Sequence, residues 1–242
     1  MATFVIVHGA WGGAWSWNKL VVPMLRRAGH DVYPVTLTGL GERAHLATPE
    51  VDLNTHIQDV VNVLFYEDLH EVILVGHSYG GMVITGVADR VPERLQQLVY
   101  LDAATPTDGT CLVDRAPGRF AEIVAAAERE GDGWRIPPGP VPSDQPAEIT
   151  TWATPRRVAQ PLKTFTQPIA LARGVTSIPR TLVFCTVDKE PGSPIVQNAE
   201  AIKSDPSWRY IELHTGHNLH YSAPQETVDI LNGLARAGVA AG

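Results

Sequence analysis

Cysteine is scarce: Cys111 and Cys185 are the only two in 242 residues, and they stand far apart. That spacing excludes a disulfide framework and a cysteine-built zinc site, and it leads us to expect a reducing, cytoplasmic setting. Basic charge is also short, with 19 Lys and Arg against 26 Asp and Glu for a net charge of -7. A chain so balanced has no basic stripe for nucleic acid or an anionic membrane surface. Long apolar runs are missing too, since none approaches the roughly 18 residues that a membrane span needs. The first run, Thr3 to Val7, lacks a basic flank, is too short for a signal-peptide core, and leads straight into His8-Gly9. No internal repeat or low-complexity tract is found. What remains is a chain with 44% hydrophobic residues, long enough to bury one sizeable core. The partner expected for it is a small neutral or apolar molecule, and a homodimer is compatible with the composition.

Short apolar, β-rich runs alternate with helical patterns. Residues 3–7, 31–37, 71–75, 97–102, 181–186 and 209–213 read as strands, and their near-continuous apolarity implies burial on both faces. This is the pattern of an α/β protein with a mostly parallel sheet of about six strands covered by helices. Crossover helices are expected over 17–28, 54–66, 80–91, 194–204 and 224–237, with Asp52 or Asn54 as an N-cap and Gly29 as a stop. Between residues 105 and 178 the alternation breaks. One helical stretch, 120–130, precedes a segment, 131–146, that holds five prolines and three glycines. We read 1–104 and 179–242 as the core and 105–178 as a cap or lid insertion.

Gly76-His77-Ser78-Tyr79-Gly80 matches G-x-S-x-G and falls between an apolar strand and a helix. Such a turn presents the serine hydroxyl as a nucleophile in a strained backbone conformation, and the flanking glycines let neighbouring backbone approach. Ser78 at a helix N-terminus also gains from the positive end of the helix dipole. Acyl transfer needs donors aimed at a developing oxyanion. The Tyr79 N–H is one, and the Ala10 N–H, on the loop after the first strand, is expected to be the other, with His8 bracing that loop.

In the strand–turn–helix setting of this motif the chain order is serine, acid, histidine, which selects His217, after the last strand, as the base. His214 should still lie at the strand end, and His220 is a nearby competitor. For the acid, Asp102 and Asp188 both end strands, where the crevice of an α/β sheet forms, and fold logic alone does not separate them.

The residues Phe4 to Trp17, Gly76 to Gly81, Phe184-Cys-Thr-Val-Asp-Lys189 and Gly216-His217 resemble the plant methylesterase and hydroxynitrile lyase family within the α/β-hydrolases. Bacterial carboxylesterase relatives, pyrethroid-type esterases among them, share the pattern. The resemblance spans nearly the whole chain and implies the α/β-hydrolase fold and a Ser-His-Asp triad. Its Cys-Thr-x-Asp-Lys stretch carries the acid onto Asp188. Lyases of the family place a threonine after the first-strand histidine and a lysine after the catalytic histidine, where this chain has Gly9 and Asn218. The resemblance therefore implies the esterase branch. Residues 36–46 match the bacterial relatives rather than the plant proteins, so a plant-hormone ester is not implied.

The expected function is a carboxylesterase acting on a small, largely apolar ester through an acyl-enzyme intermediate, with no metal and no organic cofactor. Trp11, Phe120, Trp134, Trp152 and Phe165 are the aromatics expected to line its pocket, beneath the insertion. A lactone or carbon–carbon bond hydrolase with the same triad, a lyase, and a non-catalytic ligand receptor are the competing readings.

Overall fold

A computed structural model describes residues 1–115, 118, 120–141, 145–174, 176–187 and 189–239. Six strands form one parallel sheet: β1 (Thr3–Val7), β2 (Asp31–Val35), β3 (Val72–His77), β4 (Leu95–Leu101), β7 (Arg180–Cys185) and β8 (Trp208–Leu213). Their spatial order is β2-β1-β3-β4-β7-β8. The order reverses at β1 and β3, so the loops after these two strands lie side by side at the carboxyl edge, where an α/β sheet opens a crevice. All six expected strands are present, with ends that match or shift by at most two residues.

Alternation along each strand sends side chains to two apolar layers. From β1, Val5 and Val7 join one cluster while Phe4 and Ile6 join the other. The first layer packs α3 (Leu53–Tyr66), α4 (Gly80–Arg90) and α8 (Pro194–Lys203); the second packs α1 (Ala14–Asn18), α2 (Val21–Arg27) and α10 (Pro224–Val239). Asp52 caps α3 in a full capping box with Thr55, which settles the choice against Asn54. The single helix expected over 17–28 is instead two. Pro23 explains the break: within a continuous helix it would lack the N–H for its backbone bond, whereas in the first turn of α2 that N–H has no helical acceptor to miss.

Although β4 and β7 are neighbours in the sheet, the chain between them leaves it and returns. That excursion contains α5 (Phe120–Glu130), β5 (Arg135–Ile136), α6 (Ala147–Ala153), β6 (Gln160–Pro161) and α7 (Lys163–Thr166). β5 and β6 pair antiparallel as a two-residue ribbon, within a segment whose prolines and glycines otherwise keep it irregular. Ile136 and Phe165 from this excursion complete the apolar layer of α3 and α4. Among the described residues no helix is long and apolar enough to cross a membrane.

Candidate active site

Ser78 sits between β3 and α4 with φ at 53°, the left-handed region that a side chain adopts only under constraint. The constraint is close packing. A Cβ on Gly80 would stand 2.7 Å from the Val7 carbonyl oxygen, and one on Gly76 would stand 2.7 Å from the Gly80 oxygen. Both glycines of the motif are thus required for the turn to close against β1. The Ser78 carbonyl then accepts from the Ala104 and Gly81 N–H groups, which fixes the elbow from both sides.

His217, after β8 and before the short helix α9 (Leu219–Ser222), brings its Nε2 to 2.9 Å from the Ser78 Oγ. Its Nδ1–H donates to Asp102 Oδ2 at 2.5 Å. The sequence had selected this histidine, and the structure joins it to the serine across 139 residues of chain. His214 lies just past β8, at the surface, beside the Thr186 hydroxyl.

The carboxylate that meets His217 belongs to Asp102; Asp188, onto which the sequence motif carries the acid, lies outside the described residues. Asp102 follows β4 with φ at 44°, and this turn directs its carboxylate toward the base. Its Oδ1 accepts from the Cys185 N–H at 3.2 Å and its Oδ2 also accepts from Lys189 Nζ at 2.5 Å. Burial alone would raise the Asp102 pKa, but the interactions with His217 and with Lys189 outweigh it and hold the carboxyl at about 2. Lys189, the last residue of the Cys-Thr-x-Asp-Lys stretch, is therefore a partner of Asp102.

Three further histidines hold the frame as neutral rings. His77 donates from Nε2 to the His217 backbone carbonyl at 2.9 Å, so the residue before Ser78 anchors the loop of His217. Burial, aided by the neighbouring His217, pushes its pKa down to about 3. His8 donates from Nδ1 to the Gly9 carbonyl and accepts from the Leu37 N–H at Nε2, bracing the loop as expected. His56 donates to the Thr38 carbonyl and accepts from the Tyr79 hydroxyl, which orients the side chain next to the nucleophile. Burial lowers both pKa values to about 4. His220 is not part of the relay: it stacks on Trp17 at 4.7 Å, and burial holds its pKa well below normal.

Among the described residues neither the Ala10 nor the Tyr79 N–H donates to a protein acceptor, which leaves both free beside Ser78. The Ala10 loop is held from the β4–β7 excursion. The Trp11 N–H donates to Gln160 Oε1 at 3.0 Å, its indole N–H to the Ile136 carbonyl at 3.1 Å, and its carbonyl accepts from Val158. Gln160 is fully buried and is fixed in turn by donating to the Thr164 hydroxyl.

Two chambers flank the serine, sharing Ala10, Trp11, Ser78 and His217 in their walls. The larger, about 430 Å³, is lined chiefly by apolar side chains such as Leu112, Val113, Ile123, Ile136 and Phe165. The smaller, about 160 Å³, lies toward Trp15, Gln145, Arg157 and Tyr221. Of the five aromatics expected to line the pocket, Trp11 and Phe165 do. Trp134 packs under the Arg135 guanidinium, and Trp152 lies against Trp15 and Tyr221, with Lys19 and Arg156 over its ring. Neither lines either chamber, because each is engaged in holding the excursion together or against the body. The Phe120 side chain lies outside the described residues. The aliphatic wall from residues 112–136 was missed, since no aromatic or charge marks it in the sequence.

Comparison with known proteins yields a concordant set. Residues 4–230 match the Alpha/beta hydrolase family. The chain is 38% identical over 243 residues to the carbendazim hydrolyzing esterase of Nocardioides sp. (strain SG-4G), covering 97% of this chain and 100% of that protein. It is 26% identical to polyneuridine aldehyde esterase of Rauvolfia serpentina, over 77% of this chain and 78% of that one. Among solved structures, an extracellular alpha/beta-hydrolase from a Paenibacillus species superposes with a TM-score of 0.83 at 23% identity, covering 98% of this chain and 100% of that one. A pyrethroid hydrolase from Sphingobium faniae JZ-2 superposes at 0.71 and 23% identity, with 98% of each chain covered.

Proposed function

Because the chain belongs to the alpha/beta hydrolase family, we propose that it is a carboxylesterase in which Ser78 attacks, His217 moves the proton and Asp102 orients the imidazole. The observation that carries this reading is the continuous relay from Ser78 Oγ through His217 to Asp102, with contacts of 2.9 and 2.5 Å. The esterase relative at 38% identity over almost the whole chain supports the ester as the bond cleaved.

His217 Nε2 takes the hydroxyl proton as Ser78 Oγ adds to the ester carbonyl, and the negative charge that forms on the carbonyl oxygen is stabilised by the Ala10 and Tyr79 N–H groups. Collapse expels the alcohol, which leaves with the proton from His217. Water, activated by the same nitrogen, then hydrolyses the acyl-enzyme. Asp102 holds the tautomer with the proton on Nδ1 and stabilises the imidazolium as it forms. The apolar 430 Å³ chamber suits a hydrophobic arm of a small ester, and residues 105–178 act as the cap that roofs it.

Ser78→Ala tests the nucleophile. Hydrolysis of p-nitrophenyl butyrate is expected to fall by at least about 10³-fold, with covalent labelling by a fluorophosphonate lost. Retention of most of the activity by the variant refutes the assignment.

A further inference from the structure

The smaller chamber differs from the larger in chemistry as well as size. Its walls carry one charged side chain among the described residues, Arg157, and no carboxylate. The Arg157 guanidinium lies 5.5 Å from the Trp11 ring centre and gives one bond, from Nη1 to the Gly139 carbonyl at 2.7 Å; no acid pairs with it among the described residues. A guanidinium offers five donors in a planar fork, so most of its capacity is left toward the chamber.

The neutral groups around it are also short of partners. Gln145 and His220 are both more than nine-tenths buried, yet Gln145 Oε1 and His220 Nδ1 meet no hydrogen-bond partner among the described residues. The same holds for the buried Trp15 indole N–H. Unpaired buried polar atoms are costly, and all three belong to residues that line the cavity beside Ser78. His77 and His220, also in its wall, are kept uncharged by burial, so among the described residues the chamber has a single cation, Arg157, amid neutral hydrogen-bonding groups. At about 160 Å³ it is smaller than a whole-ligand pocket and admits only a short arm of a substrate whose remainder occupies the larger chamber.

We propose that this chamber is a subsite for a carboxylate, and that the enzyme takes esters with an apolar arm on one side of the scissile carbonyl and a short, carboxylate-bearing arm on the other. Arg157 pairs with the carboxylate, using the guanidinium N–H groups that the Gly139 carbonyl leaves free. The proposal rests on Ser78 being the nucleophile.

The test compares matched esters. Monomethyl succinate places the carboxylate on the acyl arm and carboxymethyl butyrate places it on the alcohol arm; the corresponding primary amides are their neutral twins. Wild-type enzyme is expected to favour at least one acid over its amide by tenfold or more in kcat/KM. Arg157→Met should cut that ratio at least tenfold, mostly through KM, and Arg157→Lys should restore part of it. Protection of Ser78 from fluorophosphonate labelling by the same four compounds gives the binding preference where turnover is slow. Equal handling of acid and amide by the wild type, in both hydrolysis and protection, overturns the subsite. An Arg157→Met variant that weakens acids and amides alike also overturns it and makes the guanidinium a packing element on Trp11. Absence of labelling in the wild-type protein is a different failure, that of the nucleophile reading itself.

Discussion

The buried amide of Gln160, on β6, accepts the backbone N–H of Trp11, on the loop after β1, at 3.0 Å. Trp11 has φ at 60°, so the loop that offers the Ala10 N–H is held in a constrained conformation by a residue 149 positions away. Removing the acceptor in Gln160→Leu leaves that N–H buried and unpaired and frees the loop to relax. We expect kcat for p-nitrophenyl butyrate to fall by about 10-fold, less than the loss of an oxyanion donor itself, with KM changing less. Gln160→Glu, which keeps an oxygen at the position, should retain more activity; equal kcat in wild type and Gln160→Leu would show that the loop holds its shape unaided.

The two aspartates are separable by paired substitution. Asp102→Asn keeps the shape but removes the charge that fixes the His217 tautomer, and should lower kcat by about 10⁴-fold while the folded state persists. Asp188→Asn should cost less than tenfold. The reverse ranking returns the acid to the position that the Cys-Thr-x-Asp-Lys motif indicated.

Acid sensitivity follows from the buried histidines. His8, His56 and His77 titrate near 6.5 when unfolded but are lowered to about 4, 4 and 3 by burial in the fold. Between these limits the unfolded chain binds protons that the folded chain refuses, so stability is complete above pH 6.5 and is lost as pH falls toward 4. Each group contributes a slope of up to about 1.4 kcal/mol per pH unit in that window. Asp102 acts lower, its contribution disappearing as pH falls from 3.8 toward 2. Urea unfolding at several pH values measures the slope, and His56→Gln should flatten it by about one proton; an unchanged slope would mean that His56 charges without opposing the fold.

Glycine positions give opposite expectations. A Cβ at Gly81 would stand 1.9 Å from the Ala104 carbonyl oxygen, whereas one at Gly233, inside α10, meets nothing within 4 Å. Gly81→Ala should lower the thermal midpoint sharply or prevent soluble expression, because backbone on both sides must move. Gly233→Ala should raise stability by up to about 1 kcal/mol through helix propensity. Thermal melts of both variants decide the matter, and a neutral Gly81→Ala would contradict the packing described for the elbow.

The parts of this molecule that were readable in advance are those with a strong local cause. Strands buried on both faces leave uninterrupted apolar runs, and the elbow leaves two glycines around Ser78. His217 was marked by Gly216 and its place after the last strand. The acid was not settled by such signs, because Asp102 and Asp188 both follow apolar strands, and the contacts that Asp102 makes are with residues 83 and 87 positions away. The excursion was legible as an interruption, but its two-residue strands are too short to show a period. Trp152 was expected in the pocket as an aromatic of the insertion, yet its surface is used in contact with Trp15 and Tyr221. Arg157 gave no sequence signal, since nothing local marks an arginine that meets no acid among the described residues.

The bond from His77 to the His217 carbonyl closes a small circuit: 77 is peptide-linked to 78, 78 meets the imidazole of 217, and 217 returns to 77. The contact between hydroxyl and imidazole is thereby held entirely within the sheet and its edge loops, while the loop of Ala10 is held from the excursion through Trp11. Grafting a foreign segment between β4 and β7 would thus leave a serine that still reacts with phosphonates but turns over esters poorly, a separation of reactivity from turnover that follows from which part of the chain owns each half of the machinery.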